Sequence, residues 1–283
     1  MSEFRERRFT SQDGLSLYYR DYGDPLATAT PVLCLPGLAR NSKDFHRVAV
    51  RLSAQRRVIC PDYRGRGQSD YDPNPRRYEP PTYLGDIHHL LAAAGIHRVA
   101  VVGTSLGGLL ATGMGAAMPT VLAGVVMNDV GPDVGRDGLG RIIEYLSRDT
   151  PLPDWETAVA ELQRMVPTLS FRTHEEWLYA AQATWRACDD GMLRFDWDPR
   201  IIDPIRDNKP LPDLWPLFRS LRRLPVLAIR GGVSEVLSEA TFDRMAREHP
   251  NLQRLCLDGV GHAPSLFEPE SAAAIDRWLE GVR

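Results

Sequence analysis

Gly103-Thr104-Ser105-Leu106-Gly107 spells G-x-S-x-G, set between an apolar run, VAVV at 99–102, and a segment of small residues reaching Gly115. A serine on a sharp strand-to-helix turn is lifted clear of the backbone, and only small residues fit two positions before and after it. The helix that follows turns free N–H groups and a positive dipole end toward the hydroxyl, which favours developing negative charge there. The chemistry such a serine suits is nucleophilic attack. A plain tight turn would use the same glycines. A phosphate-cradling loop would need G-x-x-x-x-G-K-[ST] or G-x-G-x-x-G, and neither pattern occurs here.

A serine hydroxyl is a weak nucleophile unless a base takes its proton and a third group orients that base. Of the seven histidines, His262 stands out because LCLDGVGHAPSLFEP places it in a glycine-rich loop after a strand pattern. His88 and His89 are neighbours on a helical pattern and point apart. His46, His97, His174 and His249 lie among polar residues and read as surface positions. For the acid, Glu235 in LAIRGGVSEVLS follows a buried-strand pattern and ranks first. Asp129 in VVMNDVGP is its rival at another strand end, and Asp258 lies awkwardly close to His262 in sequence. Each keeps the chain order serine, acid, histidine. Acyl transfer also needs oxyanion donors. The backbone N–H of Leu106 is one candidate, and that of Leu38, in Leu35-Pro36-Gly37-Leu38 after the VLCL run, is the other.

These residues need a scaffold that brings strand ends together. VLCL (32–35), VIC (58–60), VAVV (99–102), LAGVVM (122–127) and VLAI (226–229) are continuous apolar runs, the signature of strands buried on both faces of a parallel sheet. Helical patterns lie between them, which predicts a doubly wound α/β architecture with right-handed crossovers. The opening RERRFTSQDGLSLYYRDYG alternates about Asp13-Gly14 and predicts an antiparallel edge hairpin. From 131 to 215 the strand rhythm stops, and that interval holds five of the six tryptophans. It reads as a helical insertion, with residues 1–130 and 216–283 forming the core. Residues 131–214 carry 10 Lys and Arg against 16 Asp and Glu, so the insertion is acidic and the remainder basic. Its aromatics suit either an apolar pocket or a small core of its own; Trp177, Ala181 and Trp185, spaced by four, favour the latter.

With 43% hydrophobic residues, 25% charged and a net charge of −3, the chain reads as an ordinary globular protein with no bias toward nucleic acid. The N-terminal MSEFRERRF lacks the apolar stretch of a signal peptide, and no membrane span is evident, so the expectation is a cytoplasmic protein away from membranes. Cys34, Cys60, Cys188 and Cys256 have neither metal-ligand nor redox spacing. Three of them lie in apolar strand-like runs and read as buried, reduced thiols.

Together, the Pro36-Gly37 loop, Asp62-Tyr63-Arg64-Gly65-Arg66-Gly67-Gln68-Ser69, which matches D-x-R-G-x-G-x-S, the Ser105 turn and the Gly261-His262 loop resemble the α/β-hydrolase superfamily, in its cap-bearing serine hydrolase group. The resemblance spans nearly the whole chain. It implies an eight-stranded, mostly parallel sheet, a helical cap over the active site, and a Ser-His-acid triad working without cofactor or metal. It also implies that the Asp62–Ser69 stretch is mainly structural. Many relatives carry His where Pro36 stands and Asp where Glu235 stands, and in some the acid sits at the Asp129 position. The implied activity is hydrolysis of a small, largely apolar ester or lactone through an acyl-enzyme. C–C cleavage of ring-fission diketones, acyl transfer to an acceptor other than water, and non-catalytic binding of a small ligand are the alternatives. Dehalogenation and epoxide hydrolysis fall away, because those relatives use Asp where Ser105 stands.

Overall fold

A computed structural model describes residues 3–147, 150–206 and 212–282. Strands form at Arg5–Thr10 (β1), Ser16–Tyr22 (β2), Val32–Leu35 (β3), Val58–Pro61 (β4), Val99–Thr104 (β5), Leu122–Asn128 (β6), Trp185–Ala187 (β7), Leu193–Phe195 (β8), Val226–Gly231 (β9) and Leu252–Leu257 (β10). Helices form at His46–Ser53 (α1), Pro80–Ala93 (α2), Leu106–Ala117 (α3), Arg136–Leu146 (α4), Trp155–Met165 (α5), His174–Thr184 (α6), Asp203–Arg206 (α7), Trp215–Ser220 (α8), Glu239–Glu248 (α9) and Pro269–Glu280 (α10).

The continuous apolar runs become the middle of one eight-stranded sheet of order β1-β2-β4-β3-β5-β6-β9-β10. β1 and β2 form the antiparallel edge hairpin, β2 also runs antiparallel to β4, and the remaining neighbours are parallel. Every residue of β3, β4, β6 and β9 is buried, as a sheet covered on both faces requires. The order reverses between β3 and β5, and a crevice at such a switch point is where open α/β sheets bind ligands. The loops after β3 and β5 are those that carry Leu38 and Ser105.

β10 is the exception among the apolar runs. As the outer edge strand it is largely exposed, and Cys256 lies open to solvent while Cys34 and Cys60 are buried as expected. His249 also departs from its surface reading: it is only 2% exposed and packs beneath Leu221. Its polar neighbours in sequence conceal a position at the end of α9 that faces inward.

Between β6 and β9 the chain leaves the sheet for α4 to α8. The pattern there predicted no strand, yet β7 and β8 pair as a short antiparallel ribbon. At three residues each they are too brief for alternation to show. Trp185 belongs to β7 rather than to the preceding helix. With Phe195 and Trp197 it forms an aromatic stack, with ring centroids 5.5 and 4.1 Å apart. The Asp62–Ser69 stretch anchors this segment. The backbone N–H of Gly67 donates to Asp196 and that of Asp198 donates to Gly65, while the Asp62 carboxylate accepts the N–H groups of Ser42 and Gln68. Among the described residues no helix is long and apolar enough to cross a membrane, and no cluster of His, Cys, Asp and Glu is arranged to hold a metal ion.

Candidate active site

Ser105 sits where β5 turns into α3, with φ +53° and ψ −116°. A non-glycine residue rarely occupies that region, so the surrounding packing must hold it there. That packing is tight. A Cβ on Gly103 would fall 2.4 Å from the backbone of Gly107, and one on Gly107 would fall 2.0 Å from the carbonyl oxygen of Leu35. The glycines of the motif are therefore required by contact between strand and helix, as the sequence pattern suggested.

His262, in the loop after β10, places Nε2 3.0 Å from Ser105 Oγ. Its Nδ1 lies 2.8 Å from Asp129 Oδ2. With Nδ1–H donating to the carboxylate, Nε2 is left to accept the serine proton, the tautomer a general base needs. Asp129 follows directly on β6, is fully buried and has φ +56°. Its carboxylate is saturated with donors: the Gly231 N–H at 2.8 Å on Oδ1, and the Ser234 hydroxyl at 2.6 Å on Oδ2 beside the imidazole. Such a set satisfies a buried carboxylate and fixes its orientation.

Glu235, ranked first for this position from sequence, does not meet His262. Its side chain is 48% exposed and pairs with Arg141 of α4 at 2.5 Å. The correction has a local cause. The loop after β9 delivers Gly231 and Ser234 inward onto Asp129, which leaves the next side chain directed to the surface. The polar partners of the His262 ring are Asp129 and Ser105, and Asp258 is not among them. Ser234 and Gly231 went unrecognised in the sequence, although both lie in the GGVSE stretch that drew attention to Glu235.

Asn128 also escaped notice. Its fully buried side-chain amide donates to Thr104 Oγ1 at 3.0 Å and to the Pro264 carbonyl at 2.9 Å, while the Asn128 main-chain carbonyl accepts the Ser105 N–H at 3.0 Å. It ties together the loops carrying Ser105, Asp129 and His262.

On the other side of Ser105, a Cβ on Gly37 would lie 3.7 Å from Ser105 Cβ, so the loop after β3 runs close beside the hydroxyl. The Leu38 carbonyl is held by Arg66 Nε at 2.9 Å. Among the described residues the N–H groups of Leu38 and Leu106 make no backbone hydrogen bond in the turns and loops.

Ser105 and His262 open into a cavity of about 500 Å³. Its walls combine the core loops with Ile142, Leu162, Met165, Leu169, Phe171 and Tyr179 from the segment between β6 and β9. The lining aromatics are Phe and Tyr; the tryptophans lie elsewhere. Burial raises the phenol pKa values of Tyr145 and Tyr179. Burial works against the charged form of Arg40 in the same wall, but the Asp44 carboxylate outweighs it and raises the guanidinium overall. The segment between β6 and β9 is tied to the histidine loop. The Gly261 N–H donates to the Thr168 carbonyl at 2.7 Å, and Ser170 hydrogen-bonds Ser265 at 2.9 Å and also Glu268.

Residues 32–276 match the model of the alpha/beta hydrolase family, and the protein belongs to that family. It is 30% identical to the 3-hydroxybutyrate-oligomer hydrolase of Cupriavidus necator, with 93% of this chain and 92% of that one covered. It is 25% identical to the 2-(acetamidomethylene)succinate hydrolase of Mesorhizobium japonicum over 88% and 87%. The crystal structure of an alpha/beta hydrolase from Novosphingobium aromaticivorans shares 43% identity and a TM-score of 0.94 over the whole of both chains. The protein is thus a hydrolase of this family.

Proposed function

We propose that the protein is a serine ester hydrolase, with Ser105 as nucleophile, His262 as general base and Asp129 as the acid that orients it. The continuous hydrogen-bond chain Asp129–His262–Ser105 carries this reading. His262 Nε2 takes the Ser105 proton as Oγ attacks the ester carbonyl, and the oxyanion forms toward the N–H groups of Leu38 and Leu106. The imidazolium, held by Asp129, then protonates the departing alkoxide and leaves an acyl-enzyme. Water, deprotonated by the same nitrogen, releases the acid and restores the serine. For substrate we propose esters of short hydroxy acids, their oligomers included. The relative from Cupriavidus necator supports this class, and a largely apolar cavity of about 500 Å³ has room for it.

A fluorophosphonate probe tests the nucleophile. Wild type labels covalently and Ser105→Ala does not; an unlabelled wild type would return the chain to the ligand-binding alternative. Turnover of 3-hydroxybutyrate dimers set against lactones, ring-fission diketones and alcohol acceptors separates ester hydrolysis from the remaining readings.

A further inference from the structure

Besides the phenols of Tyr145 and Tyr179, five titratable side chains line the cavity among the described residues: His262, Arg40, Asp44, Arg141 and Glu235. Arg40 is fully engaged. Its Nε and Nη2 meet the Asp44 carboxylate at 2.7 and 2.6 Å, and Nη1 meets Thr184 at 2.5 Å. Arg141 is placed differently. It lies on the cavity-facing side of α4, in the series Gly138, Arg141, Ile142, Tyr145, and its side chain is 68% exposed. Its partner Glu235 belongs to the loop after β9, and the Gly135 N–H, donating to the Val236 carbonyl at 3.0 Å, holds that loop against the start of α4. The pair therefore lies where α4 and the loop after β9 meet in the cavity wall.

We infer that Arg141 is the anchor for a free carboxylate on the substrate and that Glu235 is its resting counter-ion, displaced when substrate enters. An ion pair this exposed is held weakly, so its exchange for an incoming carboxylate requires little. A guanidinium also offers a planar fork that grips a carboxylate through two parallel hydrogen bonds. The inference rests on the ester-hydrolase reading, because oligomers of hydroxy acids end in such a carboxylate, and it gives Glu235 a task outside the triad. The preferred substrate is then an ester with an anionic terminus, rather than a neutral ester of the same length.

Binding measured by calorimetry on the Ser105→Ala protein separates the anchor from catalysis. The ligands are the dimer of 3-hydroxybutyrate and its terminal primary amide, which differ only in the carboxylate. The dimer binds about tenfold more tightly than the amide. Arg141→Gln on that background removes most of the preference, and Glu235→Gln enlarges it. Raising KCl from about 0.05 M to about 0.5 M shrinks it without any further substitution. Equal binding of the two ligands, or a preference that rises in Arg141→Gln and falls in Glu235→Gln, overturns the anchor. Wild-type turnover of the dimer is read separately: no turnover with the preference intact defeats the hydrolase reading alone, and turnover without preference defeats the anchor alone.

Discussion

At the scale of single residues, the choice of acid shows what spacing can and cannot reveal. Asp129 and Glu235 both follow buried strands, and those strands, β6 and β9, are parallel neighbours in the sheet, so both acids emerge at the same sheet edge. What separates them is the positive φ of Asp129 and two donors, Gly231 and Ser234, that lie about a hundred residues further along the chain and converge on its carboxylate. Contacts at that separation leave no trace in local pattern. Ser105 and His262 were legible because each carries its own local signal, a glycine-flanked turn and a glycine-rich loop. Two outcomes are expected from steady-state kinetics. Asp129→Asn lowers kcat by about 10³- to 10⁴-fold, since the amide no longer holds the required tautomer, and Glu235→Gln lowers it far less. Ser234→Ala removes one hydrogen bond to the buried carboxylate and lowers kcat about tenfold, with KM less affected.

Among the elements, β5 and α3 act as a single piece. The strand fixes where the serine emerges, and α3 closes over it only because Gly103 and Gly107 bear no side chain. Gly107→Ala would drive a methyl into the Leu35 carbonyl of β3. The expected loss is about 3 kcal/mol of unfolding free energy, measured by urea denaturation, together with lowered activity at temperatures where the variant is still folded. Stability equal to wild type would mean that strand and helix can part here. The parallel strands were readable from sequence since burial on both faces leaves an unbroken apolar run. The ribbon β7–β8 was not, because its strands are too short to show a pattern; β10 was legible as the strand before His262, but its exposure at the sheet edge was not.

Across the whole molecule, the segment between β6 and β9 must be held over the sheet, and buried polar groups do part of this work. His249, at the end of α9, faces the Leu221 carbonyl at the end of α8, where the chain returns to the sheet. Its Nδ1 accepts the Asn251 N–H at 3.2 Å, so the bonded form is the neutral ring. Burial accordingly lowers its pKa, although the Leu221 carbonyl works in the other direction. The folded state then binds this proton less readily than the unfolded chain. The stabilisation is complete above the ordinary histidine value of about 6.5, and it declines below that as pH falls toward the folded-state value. Denaturation at about pH 7.5 and about pH 5.5 is expected to show wild type losing up to about 1.4 kcal/mol per pH unit from this group. His249→Gln flattens that part of the slope. Identical slopes for the two proteins would show that the folded state admits the proton freely.

The bonds between the segment that follows β6 and the histidine loop have a mechanical consequence. Moving residues 167–171 away from that loop means breaking Gly261 N–H from Thr168 and Ser170 from Ser265. Cavity wall and imidazole-bearing loop are thus coupled parts, and a substitution at Thr168 or Ser170 is felt at a residue nearly a hundred positions away in the chain.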